Sequence, residues 1–449
     1  MQKNNSIWQF FSSVKLALVI LILIAVTSII GTVIPQKEPA SFYVSNYGPE
    51  MAQIFTVLDI PDMYNSWWFL ALLFLLSFNL VICSIDRFPG VWKQIKSDGL
   101  TVPESRLQKM ANRFDWKSSE DASTTLSRLS SKLKEKGWNA QTREIDGATL
   151  LFSQKGHWSR TGVYMVHASI LIIFIGAIIG SLGGFKGSVM IPETMERNKI
   201  FLFDGKGTKE LGFTVRCNNF FMDLYPNGMP KEYTSSLTVL ENGKEILTKK
   251  IEVNSPLTYK GITFYQSSYE PYQDFLITVT TPTDASTKTF ITPFQDQVAW
   301  EQENLKFGVL NAKAIGQSIV SSKLWFTDNQ EKATTLWIDN GKTATITRES
   351  GEYQVSAKQM YATGLQVAKD PGVWWVYIGC GLMLVGLYVA FFMSHRRIWL
   401  LVKPSGNRAE VLFTGSANKN RTGFKSSFDE LKELLQADSS DTSGSLGSA

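Results

Sequence analysis

The chain has 449 residues, of which 44% are hydrophobic and 19% charged, and its formal net charge is +5. This length allows more than one domain, because single hydrophobic cores stop growing at roughly 250–300 residues. The small net charge and the lack of a basic stripe with interleaved aromatic residues argue against a nucleic-acid-binding protein. The three cysteines form no CxxC or CxxCH motif, which excludes a dithiol redox pair, a zinc knuckle and a c-type cytochrome.

Four apolar runs are long enough to cross a membrane as helices, since about 20 residues span a ~30 Å hydrocarbon core. The first run, Leu16–Ile34, is too long for the apolar region of a signal peptide and has no small-residue cleavage site, so we expect it to be retained. The sequence therefore predicts a series of consecutive segments. These are 1–34 with the first span, 35–66, the second span 67–85, 86–160, the third span 161–182, 183–372, the fourth span 373–393, and 394–449.

The distribution of lysine and arginine predicts the orientation of these spans. Segment 35–66 contains a single basic residue, whereas segment 86–160 contains fourteen. Basic residues also follow the fourth run directly, in the sequence SHRR. Because cytoplasmic segments carry the excess of positive charge, we expect both termini and segment 86–160 to be cytoplasmic. Segments 35–66 and 183–372 should then lie outside the cytoplasm.

The cytoplasmic segment 86–160 is typical of a small α/β domain. Arg113–Lys117 reads as a strand, and Ser118 or Ser119 is a suitable cap for a helix that runs to about Lys136. A hairpin with its turn at Asp146-Gly147 follows. In the tail 394–449 we expect a short hairpin after Lys403, a helix at Ser427–Leu435 and a disordered end.

The outer segment 183–372 is predicted to be rich in β-strands. Asn242-Gly243 is a strong hairpin turn between two alternating runs, and Lys260-Gly261 repeats the pattern. Further short strands separated by turns continue to the fourth span. This spacing is typical of a β-sandwich or an open barrel.

The familiar catalytic signatures GxSxG, Walker A, HExxH and the Rossmann fingerprint are absent, so we do not expect enzymatic activity from this chain alone. His167 lies inside the third run, six residues after Thr161, which places it about 9 Å along the helix. An ionisable group there is costly and usually faces protein or a polar cavity. A neutral imidazole is also a good axial ligand for haem iron. Two interpretations stay open: a structural histidine bonded to a neighbouring helix, or a residue for ligation or proton transfer.

Other polar and aromatic residues have simpler interpretations. His157 and His395 adjoin spans, and we expect each to anchor the chain at the membrane surface, although either could supply a ligand there. Asn79 lies inside the second run and could bond between helices at on the order of 1 kcal/mol. Strand core, rather than a ligand-binding shelf, is expected for three aromatic residues: Phe264, Tyr265 and Tyr269.

An ordered set of motifs resembles the ResB family of cytochrome c biogenesis proteins, also called CcsB. The motifs are Gly31–Gln36 (GTVIPQ), Val166–Gly180 (VHASILIIFIGAIIG), Asn254–Pro271 (NSPLTYKGITFYQSSYEP), Gly364–Trp399 and Ala417–Phe424 (ANKNRTGF). The resemblance covers nearly the whole chain in order, and the topology of four spans matches that of the family.

The resemblance implies a subunit of the system II cytochrome c synthase complex. With a ResC/CcsA-like multi-span partner, such a subunit would help to export haem and to attach it to the CxxCH motif of apocytochrome c. The partner carries a Trp-rich haem-handling motif in this family, and this sequence lacks one, so we expect the partner to be a separate chain. The family's span histidine corresponds to His167, which the resemblance implies is an axial ligand of the haem iron.

The resemblance assigns no catalytic residue to this chain, which would be a non-catalytic or co-catalytic subunit of the haem lyase. We expect it in the plasma membrane of a bacterium rather than in a thylakoid membrane. Two alternatives stay open at this stage. The chain could be a docking chaperone that binds no haem, or a membrane receptor whose outer domain is a sensor.

Overall fold

The structure is a computed structural model that describes residues 6–205, 207–225, 229–315 and 318–437. The chain divides into two compact units, one formed by Met1–Ile175 with Trp374–Ala449 and the other by Gly176–Val373. The tail end that the sequence predicts to be disordered, ADSSDTSGSLGSA, lies outside the described residues except for its first alanine.

Helices and strands are numbered in chain order. The helices are α1 (Ser6–Phe11), α2 (Val14–Val33), α3 (Ala40–Tyr47), α4 (Pro49–Val57), α5 (Trp67–Lys96), α6 (Glu104–Leu107), α7 (Ala122–Glu135), α8 (Gly162–Gly183), α9 (Val373–Phe392) and α10 (Arg421–Gln436). Three 3₁₀ turns are Ile60–Asn65, His157–Thr161 and Glu301–Glu303.

The strands are β1 (Asn112–Ser118), β2 (Gln141–Ile145), β3 (Ala148–Lys155), β4 (Phe185–Pro192), β5 (Glu196–Leu202), β6 (Thr208–Leu224), β7 (Pro230–Glu241), β8 (Lys244–Ile251), β9 (Leu257–Tyr259), β10 (Ile262–Thr280), β11 (Thr287–Thr292), β12 (Gln297–Trp300), β13 (Leu305–Ile315), β14 (Ser318–Thr327), β15 (Thr334–Asp339), β16 (Thr343–Arg348), β17 (Gly351–Lys369), β18 (Arg396–Ser405) and β19 (Arg408–Ala417).

All four predicted apolar runs are helices, and α2, α5, α8 and α9 are long and apolar enough to cross a membrane. Helix α5 continues to Lys96 and so extends beyond the predicted end of its span at residue 85. Its first turn is capped by Ser66, whose Oγ accepts a hydrogen bond from the backbone N–H of Phe69 at 3.4 Å. The polar last turns carry Lys93 and Lys96, which suit the negative end of the helix dipole.

The apolar helices of the first unit pack through large aliphatic residues and through glycines. Ile20 of α2, Leu76 and Leu80 of α5, and Ile170 of α8 belong to one hydrophobic cluster. Gly386 brings the backbone of α9 against α8, because a β-carbon there would lie 3.0 Å from Val166. Small residues permit such close helix contacts, on which association in a lipid environment depends.

The α/β part of the first unit differs from the prediction in one important respect. Its five antiparallel strands have the order β1-β19-β18-β3-β2, so the hairpin of the tail occupies the centre of the sheet. Helices α7 and α10 cover one face, where Phe413 and Phe428 stack at 4.3 Å. The segments 86–160 and 394–436 are therefore one domain. They lie on the same side of any membrane that the four helices cross.

Local predictions in this domain were mostly correct. The hairpin across Asp146-Gly147 is present between β2 and β3. The cap of α7 was assigned wrongly: it is Asp121, not Ser118 or Ser119, and its carboxylate accepts from the backbone N–H groups of residues 123 and 124. Helix α10 begins earlier than predicted, after Asn420.

Segment 35–66, predicted only as an outer loop, is largely helical. Helices α3 and α4 and the 3₁₀ turn that follows enclose a small core with Tyr43, Phe55 and Ile60. The hydroxyl of Tyr43 donates a hydrogen bond to the carbonyl oxygen of Pro35 at 2.7 Å. This bond ties the small core to the end of the first apolar helix.

The second unit is the expected β-rich domain. Both predicted hairpin turns are present, with positive φ angles at Asn242-Gly243 and at Lys260-Gly261. The larger sheet follows the path β11-β10-β17-β4-β5-β6-β7-β8, with β9 and β16 paired at its side, and the smaller sheet has the order β12-β13-β14-β15. One hydrophobic core is formed by residues of the larger sheet alone. The second core lies between residues of the larger sheet and residues of the smaller sheet, as in a β-sandwich.

Candidate functional site

His167 of α8 is held by a serine of α5. The Nδ1 atom of His167 lies 2.9 Å from Oγ of Ser84, and the same Oγ lies 2.7 Å from the carbonyl oxygen of Leu80. A carbonyl only accepts, so the single hydroxyl proton of Ser84 is donated to Leu80, and Nδ1 of the imidazole donates to Ser84. The neutral ring then has an unprotonated Nε2. This is the atom that a histidine offers to a metal, with its other nitrogen fixed by a hydrogen bond.

His167 lines a cavity of about 440 Å³ inside the first unit. Helices α2, α5 and α8 supply most of its wall, which includes Val14, Leu80, Val91 and Val163. The remaining wall comes from the turn before α8 and from the residues after β19. Ligand pockets commonly combine a mainly apolar lining with a few polar groups in fixed positions, and this cavity has that composition.

Three cationic side chains also line this cavity: Arg87, Arg160 and Lys419. Within the described part of the chain, no aspartate or glutamate lines it with them. Arg160 donates from Nε to Nδ1 of His395 at 2.9 Å, and Nζ of Lys419 donates to the carbonyl oxygen of Ala390. The cavity is therefore apolar with an excess of positive charge.

His395 is not the surface anchor that the sequence suggested. Its side chain is 1% exposed, and both ring nitrogens have partners. Because Arg160 donates to Nδ1, Nε2 carries the proton and donates to Oε1 of Gln154 at 2.8 Å. Burial and the neighbouring cations lower the pKa of His395 to about 4, so the ring is neutral near pH 7. Because neither ring nitrogen of His395 is free, this residue stabilises the fold and does not offer a nitrogen to a ligand.

His157 lies on the 3₁₀ turn before α8, half-buried, with its ring 5.4 Å from the ring of Trp158. It is not among the residues that line the cavity. The structure thus brings one of the three histidines, His167, into the cavity.

Asn79 makes the buried hydrogen bonds that its place in the second run predicts. Its Nδ2 donates to the backbone carbonyl oxygens of Phe11 at 2.6 Å and Ser13 at 3.2 Å. These carbonyls lie at the break between α1 and α2, where that of Ser13 also accepts from the backbone N–H of Ala17 in α2 at 3.3 Å. Asn79 therefore joins α5 to the N-terminal helices beside the cavity.

A series of aromatic rings that sequence reasoning missed leads to His167. The ring of Tyr164 lies 6.2 Å from that of His167, and Phe88 lies 5.1 Å from Tyr164. Trp92 and Trp158 continue the series at 5.6 and 5.8 Å. The spacing of Phe88 and Trp92, four residues apart on α5, indicates that these two rings share one face of the helix. The sequence near them does not show that they contact Trp158 and Tyr164, which lie about 70 residues further along the chain.

The second unit contains buried polar groups that serve its packing. Glu193 is fully buried, and Nζ of Lys358 lies 2.6 Å from its Oε1. The carboxylate also accepts from the backbone N–H groups of Phe220 at 2.7 Å and Tyr361 at 3.0 Å. Burial raises the pKa of the nearby Cys217 to about 12, so this thiol stays protonated and unreactive.

The three aromatic residues expected in a strand core divide between two environments. Phe264 is fully buried in the larger sheet, whereas Tyr265 is 45% exposed. Tyr269 packs against Phe220 and Tyr233 at ring distances of 5.8 and 5.5 Å. The prediction is correct for Phe264 and Tyr269 and wrong for Tyr265, because neighbours along a strand face opposite sides of the sheet.

The chemistry available at the cavity follows from its donors. Among the described residues, no three His, Cys, Asp or Glu side chains cluster as a metal site. His167 alone can therefore bind only a metal that brings most of its own ligands. An iron porphyrin is such a metal, since it uses axial imidazole nitrogens, and the fixed Nδ1 proton of His167 suits that role.

Comparison with known proteins decides the family. The family model described as the ResB-like family matches residues 14–354 and 316–429. This chain belongs to the ResB-like family. A relative from Gloeobacter violaceus, the cytochrome c biogenesis protein CcsB, is 29% identical over 471 residues, which cover 99% of this chain and 94% of the relative. A protein of the same description from Microcystis aeruginosa is 28% identical over 459 residues, with 95% of each chain covered.

A solved structure, the cytochrome c heme lyase CcmF, is also similar to this ResB-like chain. The similarity covers 79% of this chain and 46% of the lyase, with a TM-score of 0.23 and 9% sequence identity. Values this low support no argument about fold or function.

Proposed function

We propose that this protein is a subunit of the system II cytochrome c synthase complex. In this role it helps to move haem across a membrane and to attach it to the CxxCH motif of apocytochrome c, together with a ResC/CcsA-like multi-span partner. Membership of the ResB-like family supports a function in cytochrome c biogenesis, because the relatives named above carry that description. The observation that carries the proposal is the His167–Ser84 pair in the cavity.

In the proposed role, His167 supplies one axial nitrogen to haem iron and the partner supplies the second. Haem is the cargo here, and a neutral imidazole with unprotonated Nε2 is the form that can ligate iron without first losing a proton. The cavity adjoins the same helix ends as the α/β domain. With the positive-inside orientation, haem would enter on the cytoplasmic side and leave on the outer side of the membrane.

The outer β-rich domain would position apocytochrome c near the haem. Thioether formation needs the haem vinyl groups and two cysteine thiols held close together, and proximity alone can supply much of such a barrier. A non-catalytic or co-catalytic subunit without its own acid or base is therefore chemically sufficient. We place it in the plasma membrane of a bacterium, with both termini cytoplasmic.

His167→Ala tests this function. The variant should be purified with its multi-span partner, and its haem absorbance spectrum and the cellular yield of covalent cytochrome c should be measured. We expect loss of haem and of cytochrome c, with partial recovery when imidazole is added, because free imidazole can occupy the vacated axial position. The matched control is His157→Ala, which removes a half-buried histidine at the start of the 3₁₀ turn before α8.

Two outcomes would contradict the proposal. Unchanged haem content with normal cytochrome c in His167→Ala would favour a docking chaperone that binds no haem. Normal covalent cytochrome c in a strain that lacks the whole gene would favour a receptor function for the outer domain.

A further inference from the structure

The wall of the cavity around His167 has an uneven distribution of charge. Its apolar residues all lie on α2, α5 and α8, whereas two of its three cations lie outside these helices: Arg160 in the turn before α8 and Lys419 after β19, next to the α/β domain. Arg87 lies one turn beyond Ser84 on α5, about 4.5 Å along the axis, and Arg160 lies seven residues before His167, roughly 10 Å away along the chain. The cations therefore stand to one side of the imidazole.

The positive charge of this wall is not balanced by acidic residues. In the described parts of the chain, the cavity lining contains no carboxylate. The nearest acidic neighbour in sequence, Asp86, accepts a hydrogen bond from Nε1 of Trp8 at 3.3 Å and so faces another element. Cations beside apolar surface, without acidic partners, favour a ligand that brings its own negative charge.

Arg160 and Lys419 are each held in place by a hydrogen bond and keep further N–H donors for a ligand. Arg160 uses Nε for His395, and a guanidinium has five N–H donors in total. Lys419 uses one of its three N–H donors for the carbonyl oxygen of Ala390. Their positions are thus fixed by the fold, while further N–H groups can bind an anion. Fixed donors lose little conformational entropy on binding.

We propose that Arg87, Arg160 and Lys419 bind the two propionate carboxylates of the haem whose iron ligates His167. This inference rests on the proposed function and adds the orientation of the ligand: the acidic edge of the porphyrin points toward the α/β domain and the vinyl edge points into the helices. The site selects dianionic porphyrins over neutral ones.

The test compares hemin with hemin dimethyl ester, in which both propionates are neutral and the iron is unchanged. The full-length protein is placed in nanodiscs of zwitterionic lipid, and each ligand is titrated by its Soret absorbance, with empty nanodiscs subtracted. The wild type should bind hemin at least about tenfold more tightly than the ester, since charge-assisted hydrogen bonds are the strong ones. Arg87→Gln and Lys419→Gln should each reduce this ratio roughly threefold, and the double variant should bring it close to one.

Control variants distinguish the effect of removing a charge from the effect of damaging the fold. Arg87→Lys keeps the charge and should keep most of the ratio. Lys93→Gln removes an exposed cation from the same helix, outside the cavity, and should leave the ratio unchanged. His167→Ala should weaken both ligands to a similar extent, which leaves the ratio near its wild-type value.

The outcomes distinguish the two proposals. An unchanged ratio in the double variant overturns the propionate site while leaving ligation by His167 intact. A normal hemin spectrum in His167→Ala, with a ratio that still responds to Arg87→Gln, overturns ligation and keeps the anion site. If phosphatidylglycerol added to the nanodiscs abolishes the preference for hemin, the cations bind lipid phosphate instead, and the propionate proposal is wrong.

Discussion

Ser84→Ala tests whether the hydrogen bond to His167 prepares the imidazole for a metal. Removal of Oγ leaves the Nδ1–H of His167 without its partner at 2.9 Å. A buried donor without a partner costs about 1–3 kcal/mol, and each 1.4 kcal/mol is a factor of ten in affinity. The ring can then rotate or exchange its tautomer. We therefore expect a loss of roughly 10- to 100-fold in hemin affinity, the usual effect of removing such an outer partner.

The assay is the Soret titration of the full-length protein in nanodiscs. Ser77→Ala is a matched control on the same helix, because Ser77 also donates to the carbonyl four residues earlier, Leu73, at 2.9 Å, and it is half-buried like Ser84. Ser84→Thr keeps a hydroxyl and should retain most of the affinity. The reasoning is refuted if Ser84→Ala binds hemin as the wild type does, or if Ser77→Ala weakens binding equally.

Three further predictions concern the stability of the fold. Lys358→Met leaves the carboxylate of Glu193 buried without its cation and should lower the free energy of unfolding by about 3–5 kcal/mol, measured by chemical denaturation. In the folded protein the pKa of His395 is lowered from 6.5 to about 4. As the pH falls, the imidazole of His395 is therefore protonated in the unfolded chain at a higher pH than in the folded protein. Stability should therefore decline between about pH 6.5 and 4, by up to about 3 kcal/mol, and His395→Gln should flatten that decline. Asn79→Leu removes the side-chain hydrogen bonds to the carbonyl oxygens of Phe11 and Ser13 and should lower the thermal midpoint in detergent, by the equivalent of roughly 1 kcal/mol. A substitution of an exposed asparagine by leucine should not lower it.

Several parts of this protein follow from local sequence. The four apolar runs form helices because only a helix satisfies the backbone of a long apolar segment without help from neighbouring chains. The hairpin at Asn242-Gly243 forms because both residues accept the positive φ angles that the tight turn needs. Each of these features depends on residues within about one element. The resemblance to the ResB family likewise rests on short motifs in order, and the family match confirms it.

Only the tertiary structure shows which strands pair and which distant residues are in contact. The tail hairpin enters the sheet between β1 and β3 because its apolar residues, among them Trp399, need cover on both faces. Its alternating pattern alone does not say which strands it will join. For the same reason the sequence placed His395 at the surface, whereas a contact with Arg160, 235 residues away, encloses it.

His167 shows most clearly which properties follow from the sequence and which depend on the tertiary structure. Its position in an apolar run made it a candidate from sequence alone, because a polar ring there needs a partner. The identity of that partner, Ser84, depends on how α5 and α8 pack against each other across 83 residues of chain. The sequence therefore determined which residue to examine, and only the packing of the helices decided which ring nitrogen is free and which cations line the same cavity.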